Sequence, residues 1–229
     1  MAKVSSTQNN GSSATPTVSV PASAAANQIA IAILTTDQFI DVSTLFPSGF
    51  TFGEQVSFQD SELAWGWKRL SGADSGTYTW GNLGASHSYA TVCALFDGRD
   101  TGNPPVGATG ATGLTPTLSP LSPASNAVTA LTGDDLVFAQ TFDWAVNWAA
   151  VTWGNPAGFS ALENFDGSTG AVFHPMGSSY KENVSSGSTS ATGSATWTDG
   201  GTLTARWGAY LIRIPAGASA AGNIAWIKA

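Results

Sequence analysis

Charge is what this sequence lacks most. Only 10% of its 229 residues are Asp, Glu, Lys or Arg, against about a quarter in typical soluble domains. The eight basic residues are scattered and the formal net charge is −7, whereas nucleic-acid binding needs clustered Lys and Arg to displace counterions. We therefore expect no nucleic-acid partner. Such a surface has little charge repulsion, which indicates either a subunit packed among neighbours or a mere peculiarity of composition.

Cysteine and histidine are equally scarce. The single cysteine, Cys93, excludes an intramolecular disulfide and lies in an apolar run, where we expect it to be buried. The two histidines, His87 and His174, have no second histidine or cysteine at ligand spacing, so no zinc site and no cofactor are expected. This cysteine usage is typical of a protein that folds in a reducing cytoplasm.

Long apolar runs are absent too. No run reaches the length needed to cross a bilayer, and residues 1–15 are polar, without the apolar core of a secretory signal peptide. We expect no membrane partner and no Sec-type export.

Catalytic motifs are missing from the chain. Phosphate-binding loops, dinucleotide fingerprints and nucleophile elbows do not occur. The close acidic pairs are Asp60 with Glu62, Asp97 with Asp100, and Asp134 with Asp135. Asp97 and Asp134 stand at turn or strand-entry positions, where aspartate makes local hydrogen bonds. The expectation is that the chain is not an enzyme.

Short alternating runs are what the sequence does contain. Ile29, Ile31 and Ile33 alternate with alanines, as in a strand with one heavily packed face. No window shows helical spacing of apolar residues with a cap, so an all-β fold with more than 40% strand is predicted. The residues predicted to lie in the core are Ile31, Trp65, Phe96, Phe138 and Ile212.

The chain also repeats itself, because four motifs recur in the same order. The recurring pairs are Asn27–Ala32 with Asp134–Ala139, Pro47–Phe52 with Pro156–Ser160, Gly76–Trp80 with Gly193–Trp197, and Tyr89–Phe96 with Trp207–Ile214. Self-similarity of this kind indicates two related sets of strands. We predict a jelly-roll-like antiparallel β-sandwich built from two internally similar halves, each sheet drawing strands from both. Two small tandem sandwiches are the alternative.

Composition divides the chain further. We expect an N-terminal arm (1–15), a sandwich (16–216) and a C-terminal tail (217–229). The halves (16–98 and 126–216) are joined by a Gly/Pro/Thr-rich stretch (99–125), whose regularly spaced glycines are interpreted as a connecting loop rather than collagen. The arm cannot bury a core, so it is predicted to lie along a neighbouring subunit of a homo-oligomer, a trimer being one option.

Nine tryptophans form the remaining anomaly. Trp144, Trp148 and Trp153 cluster around one strand of the second half. Buried core or subunit interface is the favoured interpretation, because tryptophan has a large area to bury. A platform for stacking glycan rings is the alternative.

The first half carries the motifs of a recognisable unit. A strand (24–34) is followed by the turn Pro47–Phe50, an aromatic strand (63–68), the run Ser75–Trp80 and a strand ending in Phe96-Asp97-Gly98. This order resembles a unit of phage structural proteins and of some bacterial surface proteins.

The resemblance spans about residues 16–216. It implies a virion protein made in the host cytoplasm: a capsid decoration protein or a minor tail or fibre subunit. Such a protein would bind further copies of itself and other virion proteins. The resemblance implies no catalytic residues. The alternatives are a lectin-like module that binds a host-surface glycan or receptor, and a glycan-cleaving enzyme.

Overall fold

A computed structural model describes residues 3–72, 74–97, 102–115, 120–143, 151–165, 175–197 and 205–217. It contains 58% strand, and the described residues contain no helix, so the all-β prediction is confirmed. The described part of the chain accordingly offers no helix that could span a membrane.

The described residues form seventeen strands. In chain order they are β1 (Lys3–Ser13), β2 (Thr17–Val20), β3 (Ile29–Thr36), β4 (Thr51–Phe58), β5 (Ser61–Arg69), β6 (Gly76–Thr79), β7 (His87–Phe96), β8 (Val106–Gly107), β9 (Ala111–Thr115), β10 (Val128–Ala130), β11 (Asp135–Asp143), β12 (Thr152–Gly154), β13 (Ser160–Phe165), β14 (Met176–Lys181), β15 (Gly187–Thr189), β16 (Ser194–Thr196) and β17 (Ala205–Ile214).

The first large sheet is antiparallel, in the order β1-β7-β3-β5-β4. Its central strand β3 shows how the sequence pattern sets the layers. Ile29, Ile31 and Ile33 face the core between the sheets, while Ala30 and Ala32 face an outer layer that includes β2. Successive side chains of a strand point to opposite faces, so the alternation of isoleucine and alanine places a thick core on one side only.

The second large sheet has the order β13-β14-β11-β17, with β8 and β9 both paired to β17. The stretch 99–125, predicted to be a loop, therefore contributes two strands. Its glycines explain this. A Cβ atom at Gly107, Gly110 or Gly113 would lie within 2.6 Å of Trp65, Tyr210 and Trp207 respectively. The three-residue glycine spacing lets the backbone lie directly against aromatic side chains.

The two sheets repeat one topology. Read from the β9 edge, the second sheet runs β9-β17-β11-β14-β13, matching β1-β7-β3-β5-β4 strand for strand. Equivalent turns also match: Phe50 N donates to Pro47 O and Phe159 N donates to Pro156 O, both at 3.0 Å. Each half therefore forms its own sheet, so the prediction that each sheet mixes strands of both halves is wrong. The sandwich is confirmed, and its jelly-roll connectivity stays a prediction.

One core cluster joins the two sheets. It contains Ile31, Trp65 and Phe96 from the first half and Val137 and Ile212 from the second. All five predicted core residues are buried. Phe138 nevertheless belongs to a different cluster, on the outer face of the second sheet beneath β10.

The N-terminal segment departs most from expectation. Residues 3–13, predicted to be an arm on a neighbouring subunit, form β1 and pair with β7 of the same chain. An edge strand need bury no side chain of its own, because its ladder hydrogen bonds hold it. A segment rich in Ser, Thr and Asn suits that position, and none of the β1 side chains is buried.

Smaller layers cover the outer faces of the sandwich. The pairs β2–β6, β10–β15 and β12–β16 form three two-stranded sheets. The predicted tail (217–229) is described only at residue 217, and the rest lies outside the described residues.

Candidate functional site

The sandwich has two lateral ends at which an edge strand of one sheet lies against an edge strand of the other. At the first mouth, β4 lies against β8 and β9. At the second mouth, β1 lies against β13. The shared topology of the two halves makes these mouths equivalent, so each serves as an internal comparison for the other.

The first mouth contains a groove of about 400 Å³, which we call the aromatic groove. Its lining residues are Thr51, Phe52, Gly53, Glu54, Trp65, Trp67, Pro104, Pro105, Val106 and Gly107. The groove thus lies between β4 and β5 of the first sheet and the 104–107 segment at the edge of the second. Aromatic walls with a single carboxylate are a common composition for a binding site.

A bulge in β4 shapes the groove. The register of β4 against β5 shifts between Phe52 and Glu54, leaving Gly53 as the extra residue. A Cβ atom there would lie 2.5 Å from the Trp65 ring, so only glycine leaves room for this indole. Glu54 stands directly opposite Trp65, and directly opposed residues share a face of the sheet. The bulge therefore turns a carboxylate inward, beside the tryptophan.

Glu54 is half-buried. Its pKa is raised because burial disfavours the ionised form, and a hydrogen bond from the backbone N–H of Gly110 partly offsets this. Behind it, the Tyr210 hydroxyl is buried without a hydrogen-bond partner. Burial raises the pKa of Tyr210, and the charge of Glu54 raises it further. The Nε1 atom of Trp65 is also buried without a partner.

The second mouth has matching positions with different residues. Thr51 opposite Trp67 corresponds to Ser160 opposite Tyr180. Counting along both strands, Glu54 corresponds to Glu163. By the same count, Gly53 and Trp65 correspond to Leu162 and Ser178. The glycine–tryptophan pair of the first mouth is thus replaced at the second mouth by a leucine–serine pair that fills a similar volume.

At the position equivalent to the aromatic groove, the start of β1 closes the second mouth. Ser6 Oγ donates to Glu163 Oε1 at 2.7 Å. The Nζ atom of Lys3 lies 5.4 Å from the centroid of the Tyr180 ring. The backbone N–H of Lys3 donates to Glu182 Oε1 at 2.5 Å.

The sequence-predicted tryptophan cluster is only partly visible. Trp144 and Trp148 lie outside the described residues. Trp153 lies on β12, half-buried, and its Nε1 donates to Phe165 O at 2.7 Å. It lines a second groove of about 520 Å³ with Gln8, Asn10 and Asn164. The glycan or interface role of the cluster stays a prediction.

Asp134 and Asp135, two of the aspartates considered for catalysis, make contacts with neighbouring loops and strands. Asp134 Oδ2 accepts from Leu131 N at 2.7 Å and also pairs with Arg213. Asp135 Oδ1 accepts from Asn183 N at 3.0 Å. Asp100 and His174 lie outside the described residues.

Other titratable groups are dispersed. Burial raises the pKa of the Cys93 thiol to about 12. The described residues contain no group of three His, Cys, Asp or Glu side chains that could hold a metal ion.

Sequence reasoning missed the aromatic groove. The strand pattern of residues 63–68 accounts for Trp65 as a core residue, and no motif marks Trp67 or Glu54. The sequence alone offers no signal for the groove, because the equivalence of Trp65 and Ser178 follows from strand pairing. No protein family, curated protein or solved structure matches this chain.

Proposed function

We propose that the chain is a non-enzymatic structural subunit exposed on the surface of a phage particle, as a capsid decoration protein or a minor tail or fibre subunit. The observation that carries the proposal is the composition of the edge strand β1 at the second mouth, where the edges of the two sheets lie together. The assignment to a phage particle depends on the resemblance of the strand and turn motifs, since no family model, curated protein or solved structure matches.

The edge strand β1 lacks the usual protection against pairing. Edge strands of soluble proteins commonly carry charges or proline, which block strand addition by another molecule. The eleven residues of β1 include one charged residue, Lys3, and no proline. Among the described strands only β7 pairs with β1, and only β14 pairs with the neighbouring edge strand β13. Such an edge suits main-chain pairing with a second copy.

The rest of the molecule is consistent with an assembled subunit. A charge-poor surface of Ser, Thr and Gly lets copies approach without strong repulsion, and the outer strand pairs give both sheets a covering layer. The proposed partners are further copies of the chain and other particle proteins. The proposed location is the virion, after synthesis in the host cytoplasm.

The test introduces charge at the edge. Gln8 and Asn10 are exposed on β1, so the double variant Gln8→Lys/Asn10→Lys should leave the fold intact and prevent edge pairing. The control Ser75→Lys/Ser185→Lys adds the same charge at exposed loop positions. Sedimentation velocity over a range of concentrations should show oligomers for the native chain and the control, and monomers for the edge variant. A native chain that stays monomeric, or variants that behave alike, would contradict the proposal.

A further inference from the structure

The aromatic groove occupies a position of the first mouth whose equivalent at the second mouth is filled by the start of β1. Leu95 and Arg213 occupy equivalent positions of β7 and β17, and they pair with Ser5 and Val106 respectively. The segment 104–107 is therefore equivalent to the start of β1. At the second mouth that segment supplies the Lys3 ammonium and the Ser6 hydroxyl. At the first mouth it supplies two prolines, a valine and a glycine.

The first mouth keeps counterparts of the residues that accept these contacts, but it lacks counterparts of the residues that donate them. Glu54 matches Glu163, which accepts the hydroxyl of Ser6. Trp67 matches Tyr180, the ring beneath the Lys3 ammonium. Tryptophan binds a cation more strongly through its ring face than tyrosine does. The first mouth thus keeps an acceptor and an aromatic ring, and leaves a groove of about 400 Å³ in place of the side chains that would satisfy them.

The charges around the aromatic groove also favour a cationic ligand. Lys68 and Arg213 form ion pairs with Asp74 and Asp134, and within the described residues the Glu54 carboxylate accepts a hydrogen bond from the backbone N–H of Gly110. A half-buried carboxylate in a chain of net charge −7 is stabilised by an approaching cation. Arg69 stands at the position equivalent to Glu182, but it does not line the groove.

Lysine over an aromatic ring is a contact that this molecule uses repeatedly. Each of the three lysines in the described residues has its Nζ atom near a ring: Lys3 over Tyr180, Lys68 over Tyr78 at 4.6 Å, and Lys181 over Phe159 at 5.9 Å. The aromatic groove presents the same arrangement without a lysine of its own among the described residues.

We propose that the aromatic groove binds the ammonium end of a lysine side chain presented by a partner polypeptide. The Trp67 ring lies beneath the cation, Glu54 supplies the opposite charge, and the prolines at 104 and 105 contact the aliphatic stem. The second mouth is the internal template for this contact, with Lys3 in the place of the partner's lysine. This site is independent of edge pairing by β1.

The test uses a minimal probe and an isosteric control. The probe is Nα-acetyl-lysine methylamide, and the control is the norleucine analogue, which has the same stem without the ammonium. Binding is followed through the indole N–H signal of Trp67 in a two-dimensional NMR spectrum, assigned with Trp67→Phe. The lysine probe should move this signal in a saturable way, and the norleucine analogue should not. This comparison uses the native chain and does not depend on any variant folding.

Two variants locate the contact. Glu54→Gln should weaken binding of the lysine probe by about tenfold or more, since hydrogen bonds to charged groups are the stronger ones. The matched variant Glu163→Gln at the second mouth should leave binding unchanged. Equal response to the norleucine analogue, or equal binding by Glu54→Gln, would overturn the proposal. So would a groove that responds to glucose, N-acetylglucosamine or lactose but not to lysine, because that result would assign it to a glycan.

Discussion

Glu62 offers the sharpest physical test of the fold. It lies on β5 between Thr36 and Ser57 and is fully buried. Ser57 Oγ donates to its Oε2 at 2.7 Å, while Oε1 has no partner. Burial raises the pKa of Glu62 to about 8 from 4.5; the hydrogen bond from Ser57 lowers it, and the charge of Asp41 adds to the rise. Replacing Glu62 with Gln keeps the shape and removes the titration.

The expected pH dependence follows from proton uptake. Between pH 4.5 and about 8 the folded chain keeps a proton on Glu62 that the unfolded chain has lost. The free energy of unfolding therefore falls as the pH rises, by up to about 1.4 kcal/mol for each pH unit. Below pH 4.5 both states are protonated, and above pH 8 both are ionised, so this contribution is constant there. At pH 8 Glu62→Gln should exceed the native chain in stability by roughly 2–4 kcal/mol more than it does at pH 4.5.

Urea unfolding at four pH values between 4.5 and 8 measures this difference, provided that the dependence on urea concentration stays constant. Glu163→Gln, which changes a half-buried carboxylate on the second sheet, is the matched control. Parallel profiles for the native chain and Glu62→Gln would mean instead that Glu62 is hydrated and ionised in the folded state.

Three further predictions concern packing. Ile31→Ala should lower the free energy of unfolding by roughly 2–5 kcal/mol in urea titrations, since Ile31 is fully buried between the sheets; an unchanged midpoint would refute its placement. Gly110→Ala should destabilise far more than Gly11→Ala, because a Cβ atom would meet Val56 at 2.5 Å at the first position and Tyr89 at 3.5 Å at the second; equal melting temperatures would count against the described path of the 106–115 segment. Cys93 should react with a maleimide only after unfolding, because it is buried and its pKa is raised to about 12; rapid labelling of the folded chain would show that β7 is accessible.

The fold class could be predicted from the sequence, but the first of the repeated motifs was misaligned by one residue. Matching Asn27 with Asp134 set Ile31 against Phe138. The structure instead matches Gln28 with Asp134, since Ala25 N donates to Gln28 Oε1 at 2.8 Å as Leu131 N donates to Asp134 Oδ2 at 2.7 Å. A one-residue slip exchanges the faces of a strand. For that reason Phe138 lies in the outer cluster, and Val137 is the true counterpart of Ile31.

A second misalignment has a different cause. The run Gly76–Trp80 resembles Gly193–Trp197 in letters, yet the counterpart of β6 is β15, since β15 pairs with β10 as β6 pairs with β2. The shared feature is backbone conformation: Gly76 has φ 128° and Gly187 has φ 143°. A glycine required by positive φ is a better marker of equivalence here than a shared tryptophan.

The aromatic groove could not be predicted because it depends on side chains that the 104–107 segment lacks. Its identity follows from comparing the 104–107 segment with the start of β1, and that equivalence is visible only in strand pairing. Likewise, a Ser/Thr/Asn-rich segment can form an arm or an edge strand equally well by composition. The segment forms an edge strand because it pairs with backbone groups of β7 that would otherwise be unpaired. Composition does not reveal those groups.

The composition of purified particles decides whether the chain is a structural subunit of a phage particle. Mass spectrometry of particles purified from the producing host should detect the chain at a fixed ratio to the major coat protein, retained through washing and density-gradient separation. Finding the chain only in the soluble fraction, with none in the particles, would contradict the account.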